Sequence, residues 1–140
     1  MLLFWVSIFN SNITKVEMEE FNIELKNNQD ITVIHLEGFL DAHTSSELEK
    51  CFEDLINDKR YQIVVNFHKL TYISSAGLGV FMAFIEPMRE NQGDIKLSNM
   101  SEKIYNIFDM LGFPVLFEIY KDEAAALDKF KNGSEEKTNE

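Results

Sequence analysis

YQIVVNFHKLTYISSAGLGVF, residues 61–81, contains the change of hydrophobic period that decides the fold. Its first part, YQIVVNF (61–67), is short, β-branched and apolar at nearly every position, the pattern of a strand covered on both faces and therefore central in its sheet. HKLTYIS then carries the chain to the C-terminal edge of that sheet, where open α/β folds place their functional groups. From Ser75 to about Glu90 the sequence is apolar over a helical length. A central strand thus feeds, through a turn bearing two serines, directly into a helix.

The flanking segments extend this alternation. Upstream, FNIELK (21–26) alternates apolar and polar residues, NNQD turns the chain, and ITVIHLEG (31–38) reads as a second strand, predicting a hairpin. In DAHTSSELEKCFEDLIND (41–58) the period becomes helical. Leu48, Phe52 and Leu55 share a face and Thr44 and Glu47 have the spacing of a capping box, which predicts a helix from about Thr44 to Asn57. Downstream, Gly93 precedes a short strand, DIKLS (94–98), with Ile95 and Leu97 inward. Ser101 is placed to cap a third helix with Ile104, Ile107, Phe108 and Leu111 on its face, and Gly112 and Pro114 stop it. VLFEIY (115–120) reads as a last strand and DEAAALDKF (122–130) as a last helix. The order ββαβαβαβα makes this a single α/β domain. Right-handed crossovers give a mixed, mostly parallel sheet with the hairpin at one end and helices over at least one face. Pro87 is expected to kink or shorten the second helix, because it removes the bond to Ala83.

Composition bounds the function. The 140 residues suffice for one core, and a 45% hydrophobic fraction with twelve Phe is that of a globular chain. A formal net charge of −11 counts against nucleic acid and anionic membrane surfaces and favours protein partners with basic patches. Cys51 is the single cysteine, so no intrachain disulfide or cysteine-based zinc site forms, in keeping with a reducing, cytoplasmic setting. Its place beside Leu48 and Phe52 is that of a core residue. His35, His43 and His68 lack ligand spacing, so no metal is expected, and His35 in its strand reads as structural. MLLFWVSIFN opens the chain without a leading Lys or Arg and is too short to span a bilayer. Residues 1–17 are read as an apolar extension rather than a signal peptide, with Met18 an alternative start. The domain is placed at 18–131, and NGSEEKTNE (132–140) is read as a disordered polar tail.

Ser74 and Ser75 arrive where the second helix begins, and capping alone accounts for a serine there. Gly77 and Gly79 cost about 1 kcal/mol each relative to alanine inside a helix. Either a backbone or phosphate approaches the helix start closely, or the glycines pack against the neighbouring strand. No G-x-S-x-G elbow, triad spacing or G-x-x-x-x-G-K-[ST] loop is present, so no catalytic residue and no nucleotide cofactor can be named. What remains is a hydroxyl that something else modifies. Along the same helix Leu78, Met82 and Ile85 are expected to face the sheet. Val80, Phe81, Phe84 and Met88 make it apolar on more than one side, so these are covered either by neighbouring helices or by a partner.

Three segments, LEGFLDAHTSSEL (36–48), VVNFHKLTYISSAGLGV (64–80) and IFDMLGF (107–113), resemble the STAS domains of bacterial anti-sigma factor antagonists, a resemblance covering roughly Phe21 to Phe130. It implies the fold just read from periodicity. It also implies partner switching: the unphosphorylated protein binds an anti-sigma factor that is also a serine kinase of GHKL type and so releases a sigma factor, and phosphorylation abolishes that binding. A PPM-type phosphatase resets the switch, and the antagonist itself is not an enzyme. Alignment of the G-L-G places Ser75 on the modified residue. The acidic residue that commonly precedes it is replaced by Ser74, which stays a competing target. Asp41 matches the family's acidic residue before the first helix, a position that also suits a simple helix cap. Asp41, Ser74, Gly77, Leu78 and Phe81 are the implied partner-binding residues. Asp109 and Met110 lie on a helix that the family uses near its interface, and are otherwise solvent-facing. A non-switching STAS scaffold or transporter-accessory module would keep the same fold.

Overall fold

The computed structural model describes residues 21–138, with side chains to residue 133; the N-terminal extension 1–17 lies outside the described residues. The elements are β1 (Asn22–Asn28), β2 (Ile31–Leu40), α1 (Ser45–Asn57), β3 (Gln62–Ile73), α2 (Ser75–Glu90), β4 (Asp94–Ser98), α3 (Glu102–Met110), α4 (Phe113–Leu116), β5 (Ile119–Tyr120) and α5 (Glu123–Thr138). The sheet order is β1-β2-β3-β4-β5, with β1 antiparallel to β2 and every other pair parallel. YQIVVNF therefore supplies the central strand, as its two-sided apolar pattern requires. The hairpin turns at Gln29, whose φ of 58° is the left-handed conformation of a tight turn.

β2 and β3 outrun the rest of the sheet. β4 pairs only with Gln62–Asn66 of β3, whereas β2 and β3 stay in register as far as Leu40 and Ile73. The serine turn sits on the end of this two-stranded projection. One face of the sheet packs against α1, α2, α3 and α4 through a cluster of Phe rings. Phe52, Phe67, Phe81, Phe108, Phe113 and Phe117 lie with neighbouring centroids 5.0–6.5 Å apart, mostly tilted or edge-to-face. On the other face, among the described residues, α5 provides the cover, and Ala126 and Phe130 close over Ile31, Val33 and Val64.

Several local expectations change. VLFEIY is not a strand throughout. Gly112, at φ 78°, turns the chain into the short α4, Pro114 occupies its first turn where a missing N–H costs nothing, and only Ile119–Tyr120 pair with β4. Phe113 and Phe117 both reach the core by this helical spacing and stack at 5.4 Å. Leu111 is 58% exposed because α3 ends at Met110, so the last position of the expected apolar face points outward. Pro87 does not shorten α2, which continues to Glu90. Ser101 caps α3 as expected, its Oγ accepting from Ile104 N at 3.2 Å. α5 is described as far as Thr138, taking in the first residues of the segment read as a tail.

A buried cation ties the sheet's far edge together. Lys96 is 6% exposed. Its ammonium donates to Asp94 Oδ2 at 2.9 Å and to Glu118, and lies 4.6 Å above the Phe130 ring. Burial would raise the Glu118 carboxyl, but the bond and charge of Lys96 outweigh it and hold the group below its ordinary value. The resulting stability is complete above the usual carboxylate range and is lost as pH falls through the lowered value. Lys96→Ala removes the ammonium shared by the two carboxylates but leaves Asp94 its bond from Arg89 and Glu118 its bond from Tyr120, so we expect a loss of about 1–3 kcal/mol in urea unfolding at neutral pH. A loss near zero would show that the cluster does not hold β4, β5 and α5 together.

Candidate functional site at the serine turn

The ladder between β2 and β3 continues one step past Ile73, where Ser74 N donates to Leu40 O at 2.9 Å. Ser74 is extended (φ −99°, ψ 173°), and its Oγ accepts from Gly77 N at 3.3 Å, making it the N-cap of α2. Ser75 is the first helical residue. It is exposed, and its hydroxyl has no hydrogen-bond partner among the described residues. The two serines share a chemistry but differ in situation. One hydroxyl is half-buried and engaged in the cap; the other stands free at the positive end of a helix of sixteen residues.

The two glycines also divide. A Cβ on Gly77 would lie 2.8 Å from Leu40 Cγ, 2.9 Å from Leu40 O and 3.0 Å from Ile73 Cγ1. Close packing on β2 therefore explains Gly77. Gly79 is different, because a Cβ there would meet nothing within 4 Å. Gly77 and Leu78 are buried, and Phe81 is 0% exposed at the centre of the ring cluster, so none of the three can present a side chain to a partner. α1 and α3 flank α2, through Phe52 and Phe108, and take up the apolar surface that periodicity alone left unassigned. Met82, expected to face the sheet, is instead 48% exposed. The open face of α2 runs Ser75, Ala76, Gly79, Met82, Ala83 and Glu86.

Asp41 follows Leu40 directly and is fixed by its own loop. Its Oδ1 accepts from His43 N at 2.9 Å and from Thr44 N at 3.2 Å. The His43 N–H is the main influence that holds the carboxyl below its ordinary value; slight burial opposes it, and the Thr44 N–H and hydroxyl add to it. Asp41 therefore stands ionised at neutral pH beside the serine turn. Thr44 does not form the expected capping box. Its hydroxyl turns back into the loop, accepting from Asp41 N at 2.9 Å and donating to Phe39 O at 2.8 Å. The residue that positions Asp41 was thus visible in the sequence only as a cap, and the D-x-x-T spacing of a side-chain-closed turn was its signal. A second unforeseen feature is the Phe39–Tyr72 pair, 37% and 43% exposed with centroids 5.6 Å apart, on the same projecting strand ends.

Other candidates lie elsewhere. Asp109 and Met110 are exposed at the C-terminus of α3, and a helix that starts after β4 ends toward the sheet edge opposite the serines. The Cys51 thiol is pushed up to about 11, by burial first and by Asp54 second, which makes it a poor nucleophile. His35 Nε2 lies 3.1 Å from Glu123 Oε1, in a structural position between sheet and α5. Among the described residues no cluster of three His, Cys, Asp or Glu side chains could hold a metal, and no helix is long and apolar enough to cross a membrane.

The family model of the STAS domain matches residues 22–126, which includes every element from β1 to the start of α5. The chain belongs to the STAS domain family. Similar proteins include the anti-sigma-B factor antagonist of Staphylococcus epidermidis, 28% identical over 70% of this chain and 91% of that protein. The anti-sigma F factor antagonist of Paenibacillus polymyxa is 24% identical over 78% of this chain and 94% of its own length. The fold is shared with the Bacillus cell fate determinant SpoIIAA, whose structure is known in phosphorylated and unphosphorylated forms. The phosphorylated form superposes with a TM-score of 0.63 at 23% identity, over 79% of this chain and 99% of SpoIIAA.

The contrast between Gly77 and Gly79 of this STAS domain is testable by substitution. Gly77→Ala drives a methyl into the Leu40 carbonyl and should destabilise the domain by about 1–3 kcal/mol. Gly79→Ala meets no obstacle and should stabilise by up to about 1 kcal/mol through helix propensity. Thermal unfolding of both variants checks this, and equal shifts would mean that Leu40 yields.

Proposed function

We propose that this STAS domain is an anti-sigma factor antagonist acting by partner switching, with Ser75 as its phosphorylation site. The observation that carries the reading is the division of labour at the turn: Ser74 is committed to capping α2, and Ser75 offers a free, exposed hydroxyl on the same edge as an ionised Asp41. The curated relatives with the same role support it, as does a phosphorylated form in a protein of the same fold.

The unphosphorylated domain docks on an anti-sigma factor that is also a GHKL-type serine kinase, through Asp41, Ser75 and the open face of α2. Gly79 lets the partner's chain approach the helix, and Met82 supplies apolar area beside it. The chain contributes an acceptor hydroxyl and a surface; nucleotide, magnesium and general base belong to the kinase, and a PPM-type phosphatase removes the phosphate. Phosphorylation adds roughly −1.5 to −2 charges. In the free protein this charge sits at the positive end of α2, close to the unpaired N–H groups of the first turn. In the complex it would face Asp41 and the kinase's own nucleotide across a partly dried interface, where a penalty of about 3 kcal/mol lowers affinity about a hundredfold. The domain then lets go.

Phosphosite mapping after incubation with the cognate kinase and ATP tests the assignment. Label should be lost in Ser75→Ala. It should persist in Ser74→Ala, whose weakened cap costs only ~1 kcal/mol of stability. Label at the wild-type level on Ser75→Ala would overturn it.

A further inference from the structure

Among the described residues, α5 covers its sheet face around Ile31, Val33 and Val64. Toward the C-terminal ends of β2 and β3 the described residues form a cavity of about 400 Å³ on that face, lined by residues of β1, β2, β3 and the loop after β4. Its volume is that of a small-ligand site, and most of its lining residues are polar or charged where such sites are usually apolar. Two lysines, Lys26 and Lys69, and two glutamates, Glu24 and Glu37, are among its lining residues. Lys26 and Glu24 pair with each other at 3.9 Å. Glu37 and Lys69 are register neighbours on β2 and β3, yet neither side chain has a hydrogen bond or ion pair among the described residues. One free charge of each sign is therefore held side by side on a rigid sheet.

The cavity wall carries a second sign of an absent polar guest. Asn99, held at φ 59°, has a buried Oδ1 without a hydrogen bond. His35 Nε2 is also buried and without a hydrogen bond, its polar neighbour being Glu123 Oε1 at 3.1 Å. Folded proteins leave few polar atoms in this condition, and here two border one cavity.

From this we propose that the cavity binds a small zwitterion of the free amino acid class, its carboxylate on Lys69 and its ammonium on Glu37. The balance of charge selects this class. A phosphate or other polyanion would be set against Glu24 and Glu37, and a polyamine against Lys26 and Lys69. A molecule bearing one charge of each sign answers both free groups, and a polar side chain on it would meet the amide of Asn99.

The site is separate from Ser75 and does not depend on the proposed switch. It is tested on the full ¹⁵N-labelled chain by amide NMR, with each of the twenty L-amino acids in turn and with inorganic phosphate and spermidine as controls. At least one amino acid should give saturable shifts confined to the strand ends around Glu37 and Lys69. Its midpoint should rise about tenfold in Lys69→Gln and in Glu37→Gln and stay unchanged in Ser75→Ala. Both substituted residues are exposed, and retained shifts of the Phe-cluster amides show that each variant is folded. No saturable response to any amino acid, a response to phosphate or spermidine alone, or a midpoint indifferent to both substitutions would overturn the proposal.

Discussion

Leu40 joins the two halves of the serine turn. Its carbonyl receives the Ser74 N–H at 2.9 Å, its side chain lies under Gly77 where no Cβ would fit, and the next residue is Asp41. Helix α2 therefore starts at a fixed height above the end of β2, and the Asp41 loop starts from the same atom group. Thr44 locks the loop from the other side through Asp41 N and Phe39 O. Two chain segments far apart in sequence are thus held in one arrangement by backbone groups and a missing side chain, with no need for a direct contact between Asp41 and Ser75.

This rigidity gives the serine pair its meaning. A helix start has unpaired N–H groups that must find acceptors, and Ser74 supplies one of them. Because that duty is met, the phosphate proposed for the neighbouring hydroxyl would not unmake the helix. Behind it, the interlocked Phe rings around Phe81 leave α2 little freedom to tilt, so added charge is felt at the surface and not absorbed by repacking. The proposed switch is accordingly electrostatic and local, and requires no second conformation of the domain.

The sheet was legible because its signals are one-dimensional. β-branched residues through YQIVVNF, alternation in the hairpin and a capping serine before α3 each act within a few residues. Phe81 and Met82 were not separable in this way. Periodicity showed α2 to be apolar on several sides, but only the flanking helices α1 and α3 decide which of those sides is buried. VLFEIY failed for a related reason: its β-forming residues are overridden by Gly112 and Pro114, which set a helical turn that delivers Phe113 and Phe117 to the core. At the site, Asp41 and the serines were recognisable by type and resemblance. Alignment of the G-L-G favoured Ser75 with Ser74 as the alternative, and what the sequence did not show is that the Ser74 hydroxyl is engaged in the cap; the strand ends with Glu37 and Lys69 left no motif at all.

The central claim is that one phosphate on a rigid helix start abolishes docking. Isothermal titration of the purified anti-sigma partner against unmodified protein and protein phosphorylated stoichiometrically at Ser75 measures it directly. The account predicts an affinity about a hundredfold weaker for the phosphorylated form, corresponding to ~3 kcal/mol. Equal affinities for the two forms would contradict it.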